Sequence, residues 1–174
     1  MEQQTTDGKP TVMSTALRYG GFMTLIGIAF NMILIVVGSS PFDRNWLNWI
    51  PTIISIALVV LAHNYFKQKG DGYMSYGQGL GIGFLSVLLS FLMGGLFLFI
   101  YINFIDPKIM DEVWEKTRTQ MEDQGQNEEA IEIVLKYIKM FFWPIYLIGG
   151  AFMSLVVGLI ISIFTQKKNP DPFV

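Results

Sequence analysis

Four stretches of this chain are long, apolar and free of Asp, Glu, Lys and Arg: residues 19–38, 47–66, 80–105 and 141–164. A helix needs about 20 apolar residues to cross a hydrocarbon layer of about 30 Å, and each stretch is that long. Inside a bilayer no water is available to the backbone, so each stretch must satisfy its own N–H and C=O groups, which makes it a helix. One such run could be the buried core of a soluble fold; four of them in 174 residues could not. The charged fraction of 15% agrees, because a water-soluble domain carries about 25%. The expected fold is therefore all-α, an integral membrane four-helix bundle formed by a single membrane domain over 1–174.

The first stretch could be mistaken for a signal peptide. Its apolar run is longer than the usual ~7–15 residues, and no clear small-residue cleavage site follows, so an uncleaved helix is expected. Ser39-Ser40-Pro41-Phe42-Asp43 is expected to end that helix. Pro51 falls in the first turn of the second, where a missing N–H does little harm. Lys67-Gln68-Lys69-Gly70-Asp71-Gly72 is a polar turn, and Asn169-Pro170-Asp171-Pro172 stops any helix after the fourth span. Pro144 either kinks the fourth span or marks its first turn.

An even number of spans puts both termini on one side. That side carries Lys9, Arg18, Lys67, Lys69, Lys167 and Lys168, with the acids Glu2, Asp7, Asp71 and Asp171. The other carries Arg44, Lys108, Lys116, Arg118, Lys136 and Lys139 together with the ten remaining acids. Basic residues are equal in number, but the first set hugs the membrane on short flanks, where the positive-inside bias acts. Both termini are therefore expected in the cytoplasm, with the chain in the inner (plasma) membrane. Trp46, Trp49, Trp143 and Tyr146 would sit at the outer interface, and Tyr19, Tyr65, Tyr73 and Tyr76 at the inner one.

Residues 106–139 form the sizeable polar insert and are expected as an extracytoplasmic amphipathic helical hairpin between the third and fourth spans. Asp106 and Pro107 suit a helix start. Ile109, Val113 and Met121 share one face, and Glu112 and Lys116 form an i,i+4 pair. Gln124-Gly125-Gln126 is a turn. Asn127 can cap a second helix with Glu128 and Glu129 in its first turn, Ile131, Val134, Leu135 and Ile138 on one face, and Glu132 paired with Lys136. That helix should run on toward the fourth span. Its apolar stripe is expected to serve packing; a docking surface for a partner protein is the sharper alternative.

Small residues recur at helical spacing. Gly150, Ser154, Gly158 and Ser162 make one stripe on the fourth span. Gly79 and Gly83, then Ser86, Ser90 and Gly94, make similar stripes on the third, and Gly20–Thr24 and Gly27–Asn31 on the first. Such stripes let helices approach closely and are expected to be packing positions. The glycine run from Gly77 to Gly83 is not a nucleotide loop, since Ile82 replaces the last glycine of G-x-G-x-x-G and no strand precedes it.

Chemistry-bearing residues are few. The chain has no Cys and one His, which rules out thiolate chemistry and a multi-histidine metal site. A net charge of −2 gives no basic surplus for nucleic acid. No span interior holds a charged residue, which argues against a proton- or sodium-coupled carrier built from one chain. Asn31 is the most central polar group, expected to bond a neighbouring helix, with a substrate role as the alternative. His63 and Asn64 lie near the inner end of the second span; an interfacial hydrogen-bonded histidine is the default, and a pH-sensing or ligand role the alternative. Gln78 and Asn103 at helix ends suit caps or interface contacts. Ser86, Ser90 and Ser154 have no paired base for nucleophilic catalysis. No catalytic, cofactor or metal residue is expected.

The segment Gly72-Tyr73-Met74-Ser75-Tyr76-Gly77-Gln78-Gly79, followed by a long apolar helix ending Tyr101-Ile102-Asn103-Phe104-Ile105-Asp106-Pro107, resembles a family of small bacterial membrane proteins, the domain of unknown function 4199, found mainly in Bacteroidota. The four-span layout and the insert before the last helix match it too, over most of residues 15–165. The resemblance implies an inner-membrane location and no activity. The leading expectation is thus a non-enzymatic scaffold or accessory subunit, with the bilayer and a second copy or another membrane protein as partners. A transporter or channel component completed by oligomerisation is the alternative, which a water-accessible cavity reaching Asn31 would favour. A membrane-embedded enzyme would need polar groups converging in one pocket.

Overall fold

The computed structural model describes residues 8–38 and 46–170, the side chain of Asn48 excepted. They form five helices: α1 (Val12–Val36), α2 (Ile50–Lys69), α3 (Tyr76–Ile100), α4 (Lys108–Asp123) and α5 (Glu128–Thr165). A 3-10 turn, Trp46–Trp49, leads into α2, and a π-helical turn, Tyr101–Ile105, prolongs α3. No strand occurs among the described residues. Four helices are long and apolar enough to cross a membrane: α1, α2, α3 with its π turn, and α5. The all-α, four-span expectation is met. Its proposed stop at 39–43, together with Glu2, Asp7, Arg44, Asp171 and Pro172, lies outside the described residues.

Helix ends depart from the charge-free stretches because caps, not charges, set them. α1 begins seven residues before Tyr19, where Thr11 and Ser14 form a capping box. Its Arg18 is accommodated by donating to the Tyr65 hydroxyl at 2.9 Å while lying over that ring. α1 closes at Val36, followed by Gly38 with a left-handed φ of +75°. α3 begins at Tyr76 rather than Leu80, because Ser75 and Gln78 exchange capping hydrogen bonds. Gln78 is thus a cap. Asp106 accepts from the Lys108 N–H, and Asn127 from the Ala130 N–H at 2.8 Å. α5 is one unbroken helix of 38 residues, about 57 Å long, that joins the polar insert to the fourth span. Pro144 lies in its interior.

α3 occupies the centre. α1 and α5 flank it, and α2 lies across all three. The enclosed core sits in the half of the bundle near Lys67. Ala62, Phe66, Met74 and Ile82 form one cluster there, and Met23, Val59 and Ile161 another. α4 packs on the start of α5 through Met121, Ile131 and Leu135, with an Arg118–Glu128 ion pair at 3.2 Å. The outward faces carry Leu25, Ile148 and Phe164, each at least two-thirds exposed, as suits helices whose solvent is hydrocarbon.

Candidate functional site

The small-residue stripes sort into two groups. Gly83 of α3 meets the Gly158 Cα; a Cβ there would come within 3.0 Å of it. One turn along, Gly79 lies against the Ser162 side chain, and Gly150 lies against the Phe91 ring. Ser154 and Ser162 are buried and donate to the carbonyls of Gly150 and Gly158, at 2.7 and 2.6 Å, so their hydroxyls add no unpaired donor to the interface. On the other flank of α3, Gly20 sits beside the Ser86 carbonyl. These positions allow backbones to touch. Ser90 and Gly94 fall in the second group. Space beyond Gly94 is open, as it is beyond Gly27 of α1, and all three line a cavity.

At the Lys67 end the bundle is closed by polar contacts. His63 is fully buried, with Nε2 2.9 Å from the Gly79 carbonyl and Nδ1 2.6 Å from Thr165 Oγ1. A carbonyl only accepts, so Nε2 carries a proton and donates to Gly79; the Thr165 hydroxyl beside Nδ1 also lies 2.8 Å from the Ile161 carbonyl of its own helix. One side chain of α2 thereby holds both α3 and α5. Lys67 Nζ donates to the Thr165 carbonyl at 3.0 Å. Met74 and Lys167 exchange two backbone hydrogen bonds at 2.9 Å, tying the segment after α5 to the turn before α3. Asn64 is half-buried and takes no part in this closure.

Toward the other end α2 leaves α5. In the closed half Val59 clusters with Ile161, and His63 and Lys67 bond Thr165. Beyond them Pro51, Ile54 and Ser55 face Ile145 and Tyr146 across a cavity of about 620 Å³ bounded by α1, α2, α3 and α5. It runs from Met23 to Ile35 along α1, about 18 Å at 1.5 Å per residue. Phe91 and Tyr146, stacked with centroids 4.3 Å apart, form its floor. Tyr101 of the π turn and Ile109 of α4 lie at its mouth. Among the described residues no Asp, Glu, Lys, Arg or His lines it. Its polar groups are Thr24, Asn31, Ser55, Ser90 and the two tyrosines. Thr24 and the Asn31 amide donate to carbonyls of their own helix, at 2.8 and 2.9 Å. Asn31 therefore turns to the cavity and bonds no neighbouring helix among the described residues, contrary to the expected interhelical bond. The volume falls in the range of about 300–1,000 Å³ usual for ligand pockets.

Asn31 and His63 stood out in the sequence as isolated polar groups in apolar runs. Thr165, Ser55 and the π turn did not, since a single hydroxyl at a span end is common and nothing local marks i→i+5 bonding. Among the described residues no group of His, Asp and Glu could hold a metal ion.

Four apolar helices, sealed at one end and parted at the other, define a multi-pass α-helical membrane protein. Residues 18–167 match the family described as Protein of unknown function (DUF4199), and the chain belongs to that family. No curated protein and no solved structure matches it.

Proposed function

We propose that this protein is a non-enzymatic, multi-pass component of the bacterial inner membrane that holds a small apolar molecule drawn from the bilayer, and that it acts as a binding or accessory subunit. The cavity reaching Asn31 carries this reading. It is pocket-sized, uncharged, and bounded by helices whose outer faces meet lipid. Among the described residues no acid, base and nucleophile converge in it, which favours binding over catalysis. The positive residues on the short flanks favour cytoplasmic termini, with the cavity mouth and the α4–α5 hairpin outside. A second copy or another membrane protein would dock through the exposed helix faces.

The test is extraction from native membranes in a mild detergent, followed by identification of co-purifying lipophilic molecules. The wild type should retain one species that Gly94→Leu, which fills the cavity, loses. Equal retention by both proteins would contradict the proposal. A transporter component completed by oligomerisation is the second reading, favoured by the same reach to Asn31. It requires a path past His63, and solute flux in proteoliposomes would reveal one.

A further inference from the structure

The cavity also selects the chemistry of its occupant, an inference that rests on the binding role just proposed. We infer that the occupant is an uncharged, single-chain amphiphile, with its polar end beside Asn31 and Ser55 and its chain running down to the Phe91–Tyr146 floor.

Three observations carry this. The first is charge. Among the described residues no ionic side chain lines the space, so a charged headgroup would enter low-dielectric surroundings without a counter-ion from them. A neutral head bears no such cost. The second is the placement of polar groups. Asn31 lies five residues before the end of α1 and Ser55 five residues after the start of α2. Both therefore stand about 7.5 Å in from the hairpin end, and both line the cavity. The Asn31 amide nitrogen is used within α1, while its carbonyl oxygen and the Ser55 hydroxyl have no partner among the described residues. Together they offer one acceptor and one donor-acceptor, a set that suits a hydroxyl or neutral carbonyl head. Below them the walls are Met23, Ile28 and Phe91, with the hydroxyls of Ser90 and Tyr146 at that depth.

The third observation concerns the glycines. Mid-helix glycine is poorer than alanine by about 1 kcal/mol in propensity. Gly79, Gly83, Gly95, Gly150 and Gly158 are explained by close neighbours, within 3.0 Å of where a Cβ would stand or nearer. Gly27 and Gly94 are not: a Cβ at either meets nothing within 4 Å, and both border the cavity. They line the cavity without filling it. A volume of about 620 Å³, with about 12 Å along α1 from Asn31 down to Met23, suits one chain rather than a two-chain lipid.

The test uses three probes sharing an 18-carbon chain: oleyl alcohol, oleate and oleylamine. Each is added to the purified full-length protein in detergent, and occupancy is read by native mass spectrometry. Oleyl alcohol should bind one per chain, at least tenfold more tightly than either charged probe, and Asn31→Leu should reduce that preference. Gly94→Leu should abolish binding while the melting temperature of the unliganded protein holds or rises. Gly27→Leu, on the facing helix, gives the same readout should the first variant not fold. Equal 1:1 binding of all three probes, lost in Gly94→Leu, would overturn the choice of an uncharged ligand and leave the binding role standing. Binding that neither glycine variant alters, or no binding at all, would overturn both.

Discussion

Ser86 is fully buried on α3, and its hydroxyl has no hydrogen-bond partner among the described residues. An unpaired buried hydroxyl is a net cost, so Ser86→Ala should leave stability unchanged or raise it by up to about 1 kcal/mol. His63 is the opposite case. It bridges three helices through two hydrogen bonds, and interhelical bonds in membranes are worth about 0.6–1.7 kcal/mol each. His63→Ala also empties space in a packed core, so a loss of about 2–4 kcal/mol is expected in equilibrium unfolding from mixed micelles. Equal behaviour of the two variants would contradict this assignment. The sequence marks His63 by its rarity in an apolar run. It does not reveal the partners, because Gly79 and Thr165 are distant along the chain and neither is unusual where it stands.

Helices were legible as elements, and their packing partners only in part. Length and charge exclusion locate all four spans, yet α1 and α3 begin before the apolar runs because Thr11 and Ser75 cap them. The same spacing rule marked Gly83 and Gly94 alike, although one touches Gly158 and the other faces open space. Periodicity gives a face; it cannot say whether a neighbour covers that face. Adjacent glycines make this testable. Gly150 lies on Phe91 and Gly95 beside Tyr146, while Gly149 has open space beyond it. Gly150→Leu and Gly95→Leu should each cost about 1–3 kcal/mol through overpacking, whereas Gly149→Leu should be neutral or slightly stabilising. Thermal melts in detergent would separate them, and a destabilised Gly149→Leu would contradict the packing described for α5.

For the whole molecule, the chain's lack of cysteine makes sidedness directly measurable. Gly125 has a left-handed φ of +77°, so its exposed neighbour Gln124 is the better reporter. Gln124→Cys in intact cells should react with a membrane-impermeant maleimide, and protection until lysis would reverse the proposed orientation. The division of the bundle into a sealed half and a parted half is a global property. It depends on where α2 leaves α5, which no local pattern encodes. It is also what the binding role rests on. The most direct test is an experimental structure of the protein extracted with its native lipids. Elongated non-protein density is expected between Asn31, Ser55 and Gly94, extending to Phe91. A bundle in which Ile54 and Ser55 close onto Tyr146, leaving no space beside Gly94, would contradict it.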